Sequence, residues 1–176
     1  MNKRFKRLKW GACFLLAFAL AFSLISSVLG AYSFTSDGII IARDDGSGFS
    51  YDYAPSVIVE GSSTKIWWCG RGSTGNDVVW YSEKIGSGSF STPSTVLSPS
   101  QTWESTHTCD PSVIKGSFTM GGNSYTYAMY YGAADATNMS TKIGVAFSNN
   151  GTSWTKYSAN PIISNADSIY DYGIGM

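Results

Sequence analysis

Tyr53-Ala54-Pro55-Ser56-Val57-Ile58 returns 56 residues later as Cys109-Asp110-Pro111-Ser112-Val113-Ile114. Each copy leads into an aromatic run ending in Gly. The first is Lys65-Ile66-Trp67-Trp68-Cys69-Gly70 and the second is Tyr127-Ala128-Met129-Tyr130-Tyr131-Gly132, with Gly to Gly 62 apart. Val78–Ser82 and Ile143–Ser148 form a third pair, 66 apart, and Phe90 answers Trp154 at 64. Val, Ile, Trp and Tyr favour half-buried pleated strands. The stretches between them, Gly61-Ser62-Ser63, Gly72-Ser73-Thr74-Gly75-Asn76 and Gly86-Ser87-Gly88, are turn chemistry. Asn149-Asn150-Gly151, set between Phe147 and Trp154, is the strongest hairpin signal in the chain.

A period near 60 built from short aromatic and β-branched strands predicts an all-β fold of β-propeller blades. The strands of the first blade are read at Pro55–Glu60, Lys65–Gly70, Asp77–Ser82 and Thr95–Leu97, with counterparts in the second. Blade one spans about 50–98, blade two about 107–163, and 170–176 begin a third. Gly38–Arg43 reads as an extra strand ahead of them. Helical periodicity is absent outside the first thirty residues. Two blades leave open sheet edges, and a ring of five needs roughly 300 residues. Residues 31–176 are therefore read as a partial propeller, the N-terminal part of a longer protein, about two blades of five.

Composition narrows the partners. The chain has 12 Lys+Arg and 12 Asp+Glu, but five of the basic residues lie between Lys3 and Lys9. Residues 31–176 hold seven basic and twelve acidic residues, a formal −5. Phosphate binding needs clustered Lys/Arg, so nucleic acid is excluded as a partner. With 14% charged residues, 15% aromatics and 19 Gly, a coiled coil and a charge-rich disordered chain are excluded too.

Met1–Lys9 is a positive segment, Gly11–Val28 an apolar run without charge, and Val28-Leu29-Gly30 offers small residues at the −3 and −1 positions of a cleavage site. This is the three-part pattern of a secretory signal peptide over residues 1–30; the alternative is an uncleaved anchor of marginal length. Either way the body is exported, whether secreted, periplasmic or held at the cell surface. No membrane contact is expected beyond that segment. Export leaves Cys69 and Cys109 as an even pair, either a disulfide or two buried thiols. Cys69 ends the second strand of one blade and Cys109 begins the first strand of the next, which puts both on one face. Without a CxxC or a Cys/His cluster, no metal site and no cofactor are expected.

The repeated Pro-Ser-Val-Ile, the aromatic strands ending in Gly, and Gly144-Val145-Ala146-Phe147-Ser148-Asn149-Asn150-Gly151-Thr152-Ser153-Trp154 together resemble the five-bladed β-propeller glycosidases. These are the arabinanase, β-xylosidase and arabinofuranosidase group, glycoside hydrolase family 43. The resemblance covers about residues 38–176. It implies acidic residues at the starts of the innermost strands, facing an axial pocket. In that family a first-blade Asp activates water, a second-blade Asp tunes the acid, and a third-blade Glu protonates the leaving oxygen. The inverting arrangement separates two carboxyls enough to admit a water and holds their pKa values apart.

Carried over residue by residue, Asp110 matches the second-blade position, whereas the first-blade position is Ala54, which accepts no proton. Asp52, two residues earlier, is the stand-in catalytic candidate, with Asp44 and Asp45 in the preceding loop. The third-blade Glu lies beyond Met176. His107, the only histidine, stands three residues before Asp110 and is expected to bind sugar. Trp67 and Trp68 are adjacent on a strand and face opposite sides, so one can offer a stacking platform, assigned to Trp68. Arg71 is a hydrogen-bond donor to sugar hydroxyls, and Trp103 and Glu104 rim the pocket. The expected function is an exported carbohydrate-active hydrolase acting on polysaccharide or oligosaccharide. The competing readings are a carbohydrate-binding propeller without catalysis and a truncated, inactive product. No Gly-x-Ser-x-Gly, Rossmann or P-loop pattern occurs.

Overall fold

Alternation decides the elements. Tyr127, Met129, Tyr131 and Ala133 fall on every second residue of one strand and join one core cluster, while Ala128, Gly132 and Ala134 at the alternate positions are buried on the other face. A computed structural model describes residues 51–136 and 141–164. The described residues all belong to one compact unit. The signal segment, Gly38–Arg43, Asp44, Asp45 and the start of a third blade all lie outside the described residues.

The described chain is all-β. Strands β1 (Asp52–Glu60), β2 (Ser63–Arg71), β3 (Asp77–Ile85) and β4 (Ser94–Leu97) form an antiparallel meander. A 3-10 turn, Thr102–Glu104, leads into β5 (His107–Met120), β6 (Asn123–Ala134), β7 (Lys142–Ser148) and β8 (Thr155–Lys156), a second antiparallel meander. One parallel pair, Asp77 with His107, joins the meanders into an open eight-stranded sheet. The Asn149–Gly151 stretch makes the β7–β8 connection: Asn150 Oδ1 accepts the amides of Thr152 and Ser153, and Gly151 takes φ 80°.

The two meanders are the same object in register, with offsets that differ from the sequence alignment. Val57 pairs with Ile66 and Ile66 with Ser82; Val113 pairs with Met129 and Met129 with Ala146. The offsets are therefore 56 for the first strand, 63 for the second and 64 for the third, where motif matching gives 62 and 66. The Gly-to-Gly match slips by one because Cys69, not Gly70, occupies the place of Gly132. Both copies carry the same bulge, between Tyr53 and Ser56 and between Cys109 and Ser112, two residues against one of the partner strand, and β5 has a second irregularity, between Lys115 and Phe118, that β1 lacks.

Trp67 is the hub of the core between the meanders. Its ring lies 5.3 Å from Tyr81 in its own meander, and 6.4 Å from both Tyr127 and Trp154 in the other. Its Nε1 donates to Gly151 O at 2.7 Å. Val113 N donates to Ser56 Oγ at 2.9 Å, and Glu60 pairs with Lys115 at 2.5 Å and with Lys65 at 2.6 Å. Hydrogen bonds from Lys115, Lys65 and Tyr127 hold the Glu60 pKa down at about 2.

Candidate functional site

The repeated bulge ends in a conformation that L-residues rarely adopt. Ala54 and Asp110, each followed by Pro, both take φ 50°. Asp tolerates this left-handed region better than Ala, whose methyl gains nothing from it. The bulge sets Asp110 over Gly132, where a Cβ would come within 3.1 Å of Asp110 Oδ2. Gly132 is thus the bare floor beneath the carboxylate.

His107 is clamped between two acids. Its Nδ1 lies 2.6 Å from Asp77 Oδ2 and its Nε2 lies 3.4 Å from Asp110 Oδ2. Burial pushes the imidazole pKa down, but hydrogen bonds and charge from Asp110 and Asp77 outweigh it and lift the pKa to about 9. At neutral pH the ring is an imidazolium and donates through both nitrogens. Asp77 is buried enough to resist ionisation, yet His107 and the Tyr51 hydroxyl bond to it and hold its pKa below the usual value. Burial and the bond to Asp77 push the Tyr51 phenol up to about 12. The Tyr51 and Tyr53 rings lie 5.7 Å apart beside this cluster, 40% and 39% exposed. Burial, then the charges of Asp110 and Asp77, raise the Tyr53 phenol further still.

The other residues singled out from the sequence are placed as follows. Asp52 is exposed, and its Oδ1 accepts the Trp68 indole N–H at 2.8 Å. Gly70 leaves Asp52 its space, since a Cβ there would lie 2.8 Å from Asp52 Oδ1. Trp68 itself is only 4% exposed, so its ring is covered and Asp52 takes its polar edge. The open aromatic faces are those of Tyr51 and Tyr53. Arg71 is exposed, and its charge acts on both Asp77 and Tyr51. Trp103 stacks on Tyr131 at 6.0 Å and donates to Gln101.

Glu104, expected at a pocket rim, is instead fully buried. It accepts the Ser100 amide and hydroxyl, Tyr131 OH and Lys156 Nζ, so it anchors the 3-10 turn to the second meander. Burial lowers the Lys156 pKa despite that pairing.

Cys69 and Cys109 are joined Sγ to Sγ, with Cα atoms 4.9 Å apart. With Asp77 they are a group of possible metal ligands within 4.8 Å of one another, but sulfurs bonded to each other offer no thiolate.

Asp110 and His107 are therefore brought together, and Asp77, Tyr51 and Gly132 complete the cluster. Those three were not readable as site residues. Asp77 reaches His107 through the one parallel pairing between the meanders, which no local motif announces. The chain matches no family model and no curated protein.

Proposed function

We propose that this chain supplies two blades of an exported, carbohydrate-active β-propeller of the glycosidase type, in which Asp110 is the sugar-facing carboxylate. The observation that carries this reading is the repeated left-handed bulge at Ala54 and Asp110. It presents one position per meander at the start of the innermost strand, where a propeller glycosidase places its acids. His107 fixes Asp110 from one side, and the exposed Tyr51 and Tyr53 rings offer apolar faces for a sugar ring. A carboxylate that accepts hydroxyls, held in place by a cation, and open aromatic rings beside it form a chemistry suited to sugars.

A second reading, sugar binding without hydrolysis, is favoured by Ala54, since the matched bulge has no carboxyl to activate water. Asp52 is the remaining candidate, and it already accepts the Trp68 N–H.

The test is calorimetric titration with arabino- and xylo-oligosaccharides, followed by product analysis. The expected result is binding that Asp110→Asn weakens at least about tenfold, the loss of one charged hydrogen bond. Asn keeps the bulge conformation but gives up the charge beside His107, so the unfolding midpoint should fall modestly and affinity is compared where the variant is fully folded. Unchanged affinity in Asp110→Asn, or no binding of any tested sugar, overturns the proposal. Released product decides for hydrolysis; binding without product decides for the second reading.

A further inference from the structure

The seam between the meanders uses two different faces. Because alternate residues point to opposite sides of a strand, one tripeptide can serve both. In the first copy Ser56 and Ile58 face the second meander: Ser56 Oγ accepts the Val113 amide, and Ile58 packs on the core. In the second copy Val113 faces the first meander and is 7% exposed.

The remaining halves of the same pattern are open. Val57, the counterpart of Val113, is 52% exposed, and Val59 beside it is 68% exposed. Ser112 is exposed, and Ile114, the counterpart of Ile58, is 44% exposed. Tyr130, which occupies the place of the fully buried Trp67, is only partly covered. The first meander thus keeps an unpaired Val face and the second an unpaired Ser/Ile face. They are the two sides of a seam the molecule already builds once.

We propose that copies of this chain join head to tail, the Val57–Val59 face of one seated on the Ser112–Ile114 face of the next. Ser112 Oγ takes the Val57 amide as Ser56 Oγ takes that of Val113. At the first-strand offset of 56, the Glu60–Lys115 ion pair of the internal seam becomes Gly116 against Val59, so no charge is buried unpaired. The contact is heterologous, and it grows into a ring where the rotation closes and a filament where it does not. It is independent of what the site binds.

Sedimentation velocity on the full chain tests it, with Val57→Glu, Ile114→Glu and the double variant. Both changes are at exposed positions, and a circular dichroism spectrum unchanged from the parent checks the fold. The parent is expected to form species above the monomer that grow with concentration, and each single variant to be monomeric. An equimolar mixture of the two single variants is expected to give a discrete dimer, because each brings one intact face. Val57→Ser, without the charge, is expected to weaken association in the same direction. A parent that stays monomeric at its highest soluble concentration overturns the proposal, whether or not further repeats of its own cover the face. So does association that survives in the double variant, or single variants that stay monomeric when mixed.

Discussion

His107 gives the clearest case of a single residue whose surroundings set its chemistry. An isolated imidazole titrates near 6.5, and between Asp77 and Asp110 it titrates near 9. A folded-state pKa above the unfolded one means that the stabilisation is complete below pH 6.5 and is lost as pH rises through 9. The loss is on the order of 1–3 kcal/mol, each pKa unit being worth about 1.4. Urea unfolding at pH 6 and pH 9.5 checks this, and His107→Gln should flatten the difference. Equal dependence in the variant would place the titration elsewhere. Ala54 offers a second test. A non-Gly residue in the left-handed region costs about 1–2 kcal/mol, and Gly in a strand loses about 0.5–1. Ala54→Gly should therefore gain about 0.5 kcal/mol, read as a higher urea midpoint. A lower midpoint would show that the methyl packs usefully.

At the scale of elements, β5 and β6 hold the site together through a glycine. Gly132→Ala would put a Cβ 3.1 Å from Asp110 Oδ2, so the carboxylate must shift by a few tenths of an ångström. The expected result is an unfolding midpoint near the parent's and weakened oligosaccharide binding by calorimetry. Undiminished binding would remove Gly132 from the site. Much of this level was legible in the sequence. The recurrent Pro-Ser-Val-Ile and the aromatic runs marked six of the eight strands, and Asn149-Asn150-Gly151 marked the last hairpin, because period-2 burial and turn chemistry are local. Register was not legible. The first strands differ in length, and β5 has an irregularity between Lys115 and Phe118 that β1 lacks, so matching glycine to glycine set Gly132 against Gly70 instead of Cys69. The fate of Trp68 and Glu104 was also hidden. Whether an indole is a platform or a wall depends on what lies above it, and Asp52 and Lys156 come from other strands. Asp110 and His107 were found because they sit three residues apart on one strand; Asp77 and Tyr51 converge on them only after folding.

At the scale of the whole molecule, the two meanders are coupled by the Trp67 core, the Ser56–Val113 and Glu60–Lys115 contacts, and the Cys69–Cys109 bond. The last lies one residue from the bulge at Asp110, and Cys109 stands two residues from His107 of the parallel pair, so the bond fixes the join where the site is built. The cysteines are separated by 40 residues in sequence. In the chain-entropy account, closing a loop of that length restricts the unfolded state by about 4 kcal/mol. Non-reducing mass spectrometry should show the chain lighter by two hydrogens than after reduction alone, and under denaturing conditions Cys69 and Cys109 should take up an alkylating agent only after reduction. Cys69→Ser with Cys109→Ser should lower the unfolding free energy by about 2–4 kcal/mol, the range such bonds usually contribute. Because both sulfurs are fully buried, the serines also leave hydroxyls without water, so Cys69→Ala with Cys109→Ala separates the two effects. A parent that is fully alkylated without reductant would show two thiols, and then Asp77 would have them as neighbours free to bind a soft metal. If the bond is present, the alanine pair should lose stability while His107 keeps its raised pKa by NMR titration, since the acids that raise it come from β3 and β5 themselves.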